Sequence, residues 1–411
     1  MSSTAETAER STPKSEGPLS GVRVVEMGQL IAGPFCGQLL GDLGADVIKI
    51  EEPTNGDPMR QWGQAQVEGD SFWWSILGRN KRSVTLNLRD DGGQEVARKL
   101  IGSADIVLEN FRPGSMEKWG LDYDTLSKEQ PELIMVRVSG FGQSGPYSSR
   151  AGYGSIGEAM GGLRYIVGDP EKPPSRVGIS IGDSLAGMFA TMGTLAALHE
   201  RERSGRGQIV DSSIYESVLG IMESLIPDWT LGGVQRERTG AILPKIAPSN
   251  VYPTKDGSWL IIAANQDTVF KRLCAAMGNP ELAEDERYAT HVPRGEHQAE
   301  LDELVGAFSC QYTADELIDL LNEYSVPVGR IFRVEDMLSD PQFSARESIV
   351  DVPDTDHGEV QMQNAFPRLS RTDTSVRWSG PALGQHTAEV LAELGYDDSG
   401  IASLRSQGVI R

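Results

Sequence analysis

The sequence predicts an α/β fold, a doubly wound parallel sheet with a second, smaller α+β domain. Short β-branched runs alternate with helical segments as far as Asp211, glycines follow several of these runs, and a stretch rich in Gly, Pro and Arg begins near Thr230. Strands that alternate with helices form parallel sheets, which bind ligands at the carboxyl ends of their strands. The chain of 411 residues is also too long for one ordinary core, so we expect two domains.

The first two predicted strands flank one helix. Residues 22–27 and 46–51 are short β-branched runs, and the segment between them is helix-like. This βαβ unit implies parallel strands and a right-handed crossover. Further along, we expect strands over residues 83–88, 105–109, 133–138 and 207–211, and helices over residues 92–101 and 212–226, the second ending before Pro227.

The second half of the chain predicts the smaller domain. Residues 230–250 resemble a linker, and residues 251–264 read as a hairpin that turns at Asp256-Gly257. Helices are expected over residues 267–277, 297–308 and 313–323, the last with a capping box formed by Thr313 and Glu316. We expect residues 326–330 and 335–340 to form a return linker, and residues 386–394 to form a final helix.

Composition excludes several classes of function. The net charge of −21 argues against nucleic acid or an anionic membrane as a partner, because like charges repel. Three distant cysteines favour a reducing cytoplasm, and five scattered histidines show no metal-ligand spacing. No apolar run suggests a membrane span, and the polar N-terminus does not resemble a signal peptide.

The glycines after the first strand are not those of a dinucleotide or ATP site. Gly28 and Gly33 resemble half of a phosphate loop, but neither GK[ST] nor GxGxxG follows, and Glu51 alone is a weak sign of a ribose-binding acid. A group of basic residues nevertheless stands out in this acidic chain. Each is compatible with a solvated surface charge, but together they predict a phosphate-bearing ligand: Arg79, Lys81, Arg82, Arg89, Arg112 and Lys118.

Asp183 is the candidate for chemistry. It lies where a turn becomes a helix, because apolar residues recur at helical spacing from Leu185 and Gly205 marks the helix end. Two interpretations stay open from the residues alone. Asp183 is an N-cap of this helix, or it is a carboxylate nucleophile or base at the positive end of the helix dipole, with the flexible Gly182 allowing close approach of a substrate.

Several motifs together resemble the class III CoA-transferase family, the carnitine and formyl-CoA transferase group. They are the opening segment from PLSGVRVVEMGQLIAGPF to DPMRQW, then NKRSVTLNL, ENFRPG, SGFGQSGPY, GDSLAG, GRGQIVDSSIYESVL, DGSWLIIAANQ and PALGQHT, spread from Pro18 to the C-terminus. Their order and spacing carry the resemblance.

The resemblance implies a large Rossmann-like domain built from both chain ends, and an interlocked homodimer. The corresponding layout is a disordered tail (residues 1–17), the first part of the large domain (18–226), a linker and small α+β domain (227–330), and a return linker with the rest of the large domain (331–411). The implied substrates are an acyl-CoA and a carboxylate, with no permanently bound cofactor and no metal.

The resemblance also implies site residues. Asp183 matches the family's nucleophile, which forms an aspartyl anhydride with the acyl group and then a thioester with CoA. Leu30, Ile31 and Ala32 match the region near the pantetheine arm. The remaining implied CoA-binding residues are Leu86, Arg89, Asn110, Phe111, Arg112, Lys118, Ala151 and Tyr153.

Departures from the family pattern restrict the activity. Formyl-CoA transferases have Gln, Arg and Glu where Ile31, Glu52 and Gly154 stand, and residues 240–250 lack a tetraglycine lid, which disfavours formyl transfer. The related racemases carry a His-Asp pair where Tyr153 and Gly154 stand, so racemisation ranks below transfer.

We therefore expect a CoA transferase that moves CoA from succinyl-CoA to mesaconate, itaconate, citramalate or malate. An intramolecular CoA transferase or isomerase of acyl-CoA thioesters, and a non-catalytic CoA-binding protein, remain the alternatives.

Overall fold

A six-stranded parallel sheet organises the larger of two units in the computed structural model, which describes residues 17–67 and 70–411. The larger unit comprises Met1–Leu163, Val177–Glu223 and Arg346–Arg411, and the smaller comprises Arg164–Arg176 and Ser224–Ala345. The expected disordered tail, apart from Gly17, lies outside the described residues.

The strands fall into four sheets. Neighbouring strands of the main sheet are parallel in the order β5-β2-β1-β6-β7-β8, β9 to β11 form an antiparallel sheet, and β12-β13 and β3-β4 are hairpins. The strands are β1 (Arg23–Glu26), β2 (Asp46–Glu51), β3 (Gln66–Val67), β4 (Asp70–Ser71), β5 (Lys81–Thr85), β6 (Ile106–Glu109), β7 (Ile134–Ser139), β8 (Ile209–Ser213), β9 (Ser249–Pro253), β10 (Trp259–Ala263), β11 (Val328–Arg330), β12 (Ile349–Asp354) and β13 (Gly358–Gln363).

The α-helices connect these strands. They are α1 (Ala32–Asp42), α2 (Phe72–Leu77), α3 (Asp91–Ile101), α4 (Ser115–Lys118), α5 (Tyr123–Glu129), α6 (Gly154–Met160), α7 (Leu163–Ile166), α8 (Ile181–Ser204), α9 (Ile214–Leu219), α10 (Leu225–Thr230), α11 (Asp267–Ala276), α12 (His291–Glu296), α13 (Gln298–Ser309), α14 (Ala314–Glu323), α15 (Val334–Ser339), α16 (Pro341–Ala345), α17 (Thr387–Glu393) and α18 (Asp398–Ser406). Short 3₁₀ helices span Pro58–Arg60 and Pro280–Glu284.

Both faces of the main sheet are covered, as the doubly wound prediction requires. Alternate strand residues such as Val24 and Val136 pack with α1 and α8, while Val25 and Met135 face the core that contains α3 and α17. The C-terminal Val409 and Ile410 belong to this second core. Hydrophobic strands buried on both faces are typical of parallel sheets.

Most predicted elements are confirmed, but one predicted helix and the predicted return linker are wrong. The helix expected over residues 212–226 is divided into α9 and α10, and Pro227 lies inside the first turn of α10. Proline is tolerated there because that N–H has no intrahelical partner. The expected return linker is also structured, since it contains strand β11 and helix α15.

The smaller unit has its own core. Tyr252 and Leu260 from the three-stranded sheet pack with Phe270, Leu301 and Leu317 from the helices. The predicted capping box of α14 is confirmed, because Thr313 accepts from the N–H of Glu316 and the Glu316 side chain accepts from the N–H of Thr313.

Helix α8 packs on α1 and on β8 with unusually close backbone approach. A Cβ added to Gly187 would lie 2.8 Å from the carbonyl oxygen of Ala32, and one added to Gly193 would lie 2.6 Å from Cγ1 of Val210. The small flank predicted from the sequence therefore brings α8 against its neighbours. In the described part of the chain, α8 is also the one helix long and apolar enough to cross a membrane, contrary to the sequence expectation. That composition is weak support for a membrane span, since core helices share it.

Gly187→Ala tests this packing. We expect the added methyl group to cost about 1–3 kcal/mol of unfolding free energy, because it meets backbone that has no room to move. Differential scanning calorimetry of the full chain measures the change. Gly306→Ala in α13 is the matched control, since nothing lies within 4 Å of its added Cβ. It should leave stability unchanged or raise it by up to about 1 kcal/mol, and an equal loss in both variants would contradict the packing argument.

Candidate active site

The order of the main sheet reverses between β1 and β6, and ligands of doubly wound sheets bind outside such a switch point. A cavity of about 330 Å³ lies at the carboxyl ends of these strands. It is lined by Met27, Gln29, Ile50, Glu51, Glu52, Leu86, Asn87, Leu88, Arg89, Phe111, Arg112, Ser115 and Trp119. The predicted CoA-binding residues Leu86, Arg89, Phe111 and Arg112 are thus brought together around one space.

The walls of this cavity combine aromatic rings with exposed cations. Phe111 and Trp119 pack edge to face, with ring centroids 5.1 Å apart. The side chains of Arg89 and Arg112 are exposed at the rim. Such a wall offers a flat apolar surface for a base and positive charge for phosphate. Lys118 is exposed at the end of α4 and does not line the cavity.

The segment after β6 is fixed by a buried carboxylate. Glu109 accepts from the N–H of Phe111 at 2.7 Å and from Nε of Arg137 at 2.7 Å. Burial raises the pKa of Glu109, although Arg137 opposes that shift. The position of Phe111 therefore depends on a group that the sequence does not distinguish from an ordinary strand residue.

Three residues of the expected basic group do not serve a ligand. Arg79 pairs with Asp42 at 2.5 Å, Lys81 with Glu26 at 2.7 Å, and Arg82 with Asp46 at 2.7 Å, and all three cations are buried. The prediction of one phosphate-binding group is wrong for these residues, because acidic partners from other strands and helices neutralise them. Their charges are paired within the protein, and Arg89 and Arg112 remain at the cavity.

Glu51 is likewise engaged within the protein. Its carboxylate accepts from Nε and Nη2 of Arg60, each at 2.8 Å, from the hydroxyl of Ser83 and from the N–H of Asp57. Its oxygens therefore already have partners. This agrees with the sequence argument against a dinucleotide site.

Asn110 holds the loop after β1. Its Oδ1 accepts from the N–H of Gln29 at 2.7 Å, and its Nδ2 donates to the carbonyl oxygen of Gln29 at 2.7 Å. Both ends of the amide are used by one residue. Asn110 thereby ties the two strands together at the switch point, whatever contact it makes with a ligand.

Four buried charges lie beneath this loop. Lys49 is within 3.1 Å of Glu26 and 2.8 Å of Asp57, while Lys81 pairs with the other oxygen of Glu26. We call Glu26, Lys49, Asp57 and Lys81 the four-charge cluster. Burial would lower the pKa of Lys49, but the nearby carboxylates of Asp57 and Glu26 raise it above its usual value. Burial lowers the pKa of Lys81 despite Glu26.

Sequence reasoning missed this cluster, although one signal was present. Lys49 is a charged residue in the middle of a strand that is otherwise apolar and buried, and buried lysines require partners. The partner Asp57 follows in a loop, and nothing in the local pattern distinguishes it from a surface residue.

Asp183 lies in the first turn of α8, where the N-cap is Ser180. The interpretation of Asp183 as N-cap is therefore wrong, while its place near the positive end of the helix dipole holds. Its carboxylate faces the backbone of Gly154 at the start of α6: a Cβ on Gly154 would overlap Oδ2 and lie 2.8 Å from Cγ. Tyr153, the N-cap of α6, and Ala151 precede this contact and are exposed.

Gly182 has a packing role at the start of α8. It is buried, and an added Cβ would lie 3.1 Å from Cγ of Glu158, from the carbonyl oxygen of Gly154 and from Cγ2 of Ile214. The absent side chain lets α8 approach α6 and α9.

One contact links Asp183 to the predicted pantetheine region. Gly187 follows Asp183 by one helical turn, so both lie on the same face of α8, and Gly187 packs against Ala32. Ile31 is the N-cap of α1 and Leu30 precedes it. The start of α1 therefore lies beside the helix that carries Asp183, with Gln29 of the same loop in the cavity wall. In the described ranges, no group of three or more His, Cys, Asp or Glu side chains could hold a metal ion.

Comparison with known proteins decides the family. The model of CoA-transferase family III matches residues 19–387. The chain belongs to this family. It is 58% identical over 394 residues to a succinyl-CoA–D-citramalate CoA-transferase of Chloroflexus aurantiacus, an alignment that covers 96% of this chain and 98% of that protein.

A second relative and a solved structure support the same family assignment. The β subunit of a succinyl-CoA–L-malate CoA-transferase of Chloroflexus aurantiacus is 42% identical, with 96% of this chain and 98% of that protein covered. The crystal structure of a CAIB/BAIF family protein from Brucella suis superposes with a TM-score of 0.81 at 37% identity, and covers 92% of this chain and 99% of that one. The protein is thus a CoA-transferase with a mixed α/β fold of this type.

Gly154→Ala tests the placement of the Asp183 carboxylate. Since the added methyl group would overlap this carboxylate, we expect Asp183 to leave its position and CoA transfer to fall by about tenfold or more, which corresponds to roughly 1.4 kcal/mol. Steady-state kinetics with succinyl-CoA measures the effect. Gly178→Ala, whose Cβ would meet nothing within 4 Å, is the control. Full activity in a folded Gly154→Ala variant would show that this carboxylate position is not required.

Proposed function

We propose that this CoA-transferase moves CoA from succinyl-CoA to a small dicarboxylate, with D-citramalate as the acceptor and Asp183 as the nucleophile. The identity of 58% to the succinyl-CoA–D-citramalate CoA-transferase carries the choice of substrates. It exceeds the identity of 42% to the L-malate relative and of 36% to a succinate–glutarate CoA-transferase of Agrobacterium fabrum. Mesaconate, itaconate and malate are the other acceptors to compare.

The proposed reaction proceeds through covalent intermediates on Asp183. The carboxylate attacks the thioester carbonyl, the C–S bond breaks, and a mixed anhydride and CoA thiolate form. The thiolate then attacks the aspartyl carbonyl, which releases succinate and leaves an aspartyl-CoA thioester. The acceptor carboxylate attacks this thioester to form a second anhydride, and the thiolate attacks its acceptor carbonyl, so that the new CoA ester leaves and Asp183 is regenerated. Division into such steps is the general advantage of covalent catalysis.

The surroundings of Asp183 support this role. Asp183 is half-buried in the first turn of the 24-residue helix α8, where the dipole favours negative charge. The first turn of α1 lies next to the same helix face. Unpaired N–H groups at a helix start can stabilise an oxyanion, and the reaction needs no proton transfer from carbon. The cavity with Phe111, Arg89 and Arg112 is then the place for the nucleotide part of CoA.

We also propose that the protein forms the family's interlocked homodimer and acts in the cytoplasm. Large apolar side chains on α6 and α8 support the presence of a second copy, since Ile156, Met160, Met188 and Met192 are each about half exposed. Isolated chains rarely expose that much apolar surface together. Sedimentation equilibrium tests the dimer, and a monomer at micromolar concentration would exclude it.

Asp183→Ala tests the nucleophile. We expect kcat to fall by about 10³-fold or more, because the covalent route is lost. The wild-type protein incubated with succinyl-CoA should carry a hydroxylamine-sensitive mass increment on the peptide containing Asp183, as measured by mass spectrometry. The variant should lack it. Near-normal exchange in Asp183→Ala would overturn the mechanism.

The acceptor is tested by comparing kcat/KM for D-citramalate, L-malate, mesaconate and itaconate with succinyl-CoA as donor. We expect the highest value for D-citramalate. A higher value for another dicarboxylate would change the acceptor but keep the reaction. Transfer to none of the four would contradict the proposed function.

Arg112→Ala tests the nucleotide site. We expect KM for succinyl-CoA to rise by about fivefold to fiftyfold, the effect of losing one charge-assisted contact to phosphate, with KM for the acceptor unchanged. Arg203→Ala is the control, because Arg203 is exposed on α8 and pairs with Glu200. An unchanged KM for succinyl-CoA in Arg112→Ala would remove this arginine from the site.

A further inference from the structure

The loop between β1 and α1, residues 27–31, is held by its backbone at several points. Lys49 Nζ donates to the carbonyl oxygen of Gly28, Asn110 binds both polar groups of Gln29, and the N–H of Leu30 donates to Oδ1 of Asp57 at 3.1 Å. Side chains from β2, from the segment after β6 and from the loop before Met59 thus converge on three consecutive residues.

These contacts hold the loop in a backbone conformation that is intrinsically unfavourable. Leu30 has φ of 66°, in the left-handed region, which a branched aliphatic residue rarely adopts. Such a conformation persists only where the surroundings determine it, and it is found mainly at binding and catalytic sites. The contact from Asp57 to the N–H of Leu30 lies at this strained residue.

The charges behind the loop are fully buried. Lys49 and Asp57 are 0% and 1% exposed, and Lys49 Nζ lies 2.8 Å from Oδ2 of Asp57. Asp57 Oδ1 also accepts from the N–H of Met59 at 3.0 Å. A buried ion pair is a weak source of stability, since apolar residues of the same volume often serve as well. Here each member of the pair also bonds the backbone of the loop, Lys49 at Gly28 and Asp57 at Leu30.

The same loop touches both parts of the candidate site. Met27 and Gln29 line the cavity, and Ala32, the first residue of α1, contacts Gly187 one turn after Asp183. A loop of fixed conformation binds a ligand without first losing conformational entropy. The loop therefore forms part of the cavity wall and leads directly into the helix that packs on α8.

We propose that Lys49 and Asp57 are positioning residues for acyl-CoA: the buried pair fixes Gly28 and Leu30 and keeps residues 27–31 in their binding conformation. This proposal rests on the proposed function, because it assumes that the loop receives the CoA thioester. Neither side chain reaches the reacting atoms in this assignment. Both act through the backbone of the loop.

Asp57→Asn tests the proposal with little change of shape. The amide keeps an oxygen for the N–H of Leu30 but loses the charge that holds Lys49. We expect KM for succinyl-CoA and Kd for free CoA, the latter by calorimetry, to rise about tenfold, with KM for the acceptor carboxylate unchanged. Deuterium uptake should increase in peptides that cover residues 27–35. Lys49→Met should give the same pattern, and Asp57→Glu should restore part of the affinity if it folds.

Asp42→Asn is the matched control. Asp42 is also a buried carboxylate of the larger unit, paired with Arg79 at 2.5 Å, but neither residue contacts the loop. It should lower thermal stability without changing KM for succinyl-CoA or deuterium uptake in residues 27–35.

A folded Asp57→Asn variant with CoA affinity within twofold of wild type would overturn the proposal, as would an equal loss of affinity in Asp42→Asn. If the wild-type protein binds CoA but transfers none, the proposed function fails, and the measured CoA affinities of the variants still decide the positioning role. If the wild-type protein binds no CoA, both proposals are overturned.

Discussion

The contact between Gly187 and the carbonyl oxygen of Ala32 fixes the relation between α8 and α1, and the rest of the site depends on it. Helix α8 carries Asp183, and α1 begins directly after the loop that lines the cavity. Because the two backbones meet without an intervening side chain, α8 has little freedom to slide along α1. The position of α8 relative to the start of α1 is therefore set by backbone packing and not by flexible side chains.

Gly154 likewise allows a close approach, in this case between the start of α6 and the side chain of Asp183 on α8. The Asp183 carboxylate occupies the space where a side chain at this position would lie. A side chain at position 154 would have to share this space with the carboxylate, or the carboxylate would have to move. Gly154 thus allows Asp183 to lie directly against the start of α6.

The sequence predicts the strands of the larger unit well because they are apolar runs separated by glycines, and burial on both faces keeps that pattern intact. It predicts charged residues poorly. Arg79, Lys81 and Arg82 look like one basic surface group, but their partners Asp42, Glu26 and Asp46 are brought to them by the parallel pairing of strands and by α1. The sequence around each of these residues does not show which distant carboxylate will pair with it.

In the candidate site, too, the sequence predicts local features well and contacts between distant residues poorly. The sequence places Asp183 at a helix start, which the structure confirms, but the cap is Ser180 and not Asp183. The anchoring of Gln29 by Asn110 joins residues that are 81 positions apart, and Leu30, whose φ is 66°, donates its N–H to Asp57, which is 27 positions away. Both are consequences of tertiary structure, so they could be seen only when the two strands and the loop were placed together.

Because the net charge is strongly negative, only positive side chains close to the cavity can attract an anionic ligand such as CoA. At −21 the protein repels an anionic ligand at a distance, and Glu52 lies in the cavity wall itself. Partial burial would raise the pKa of Glu52, but hydrogen bonds from the N–H groups of Asn55 and Thr54 lower it, so this carboxylate stays charged at neutral pH. In the nucleotide site proposed above, Arg89 and Arg112 offset both the local and the distant negative charge. Salt screens interactions between exposed charges, and Arg89 and Arg112 are exposed at the rim, so added salt weakens the proposed arginine contacts as well as the distant repulsion.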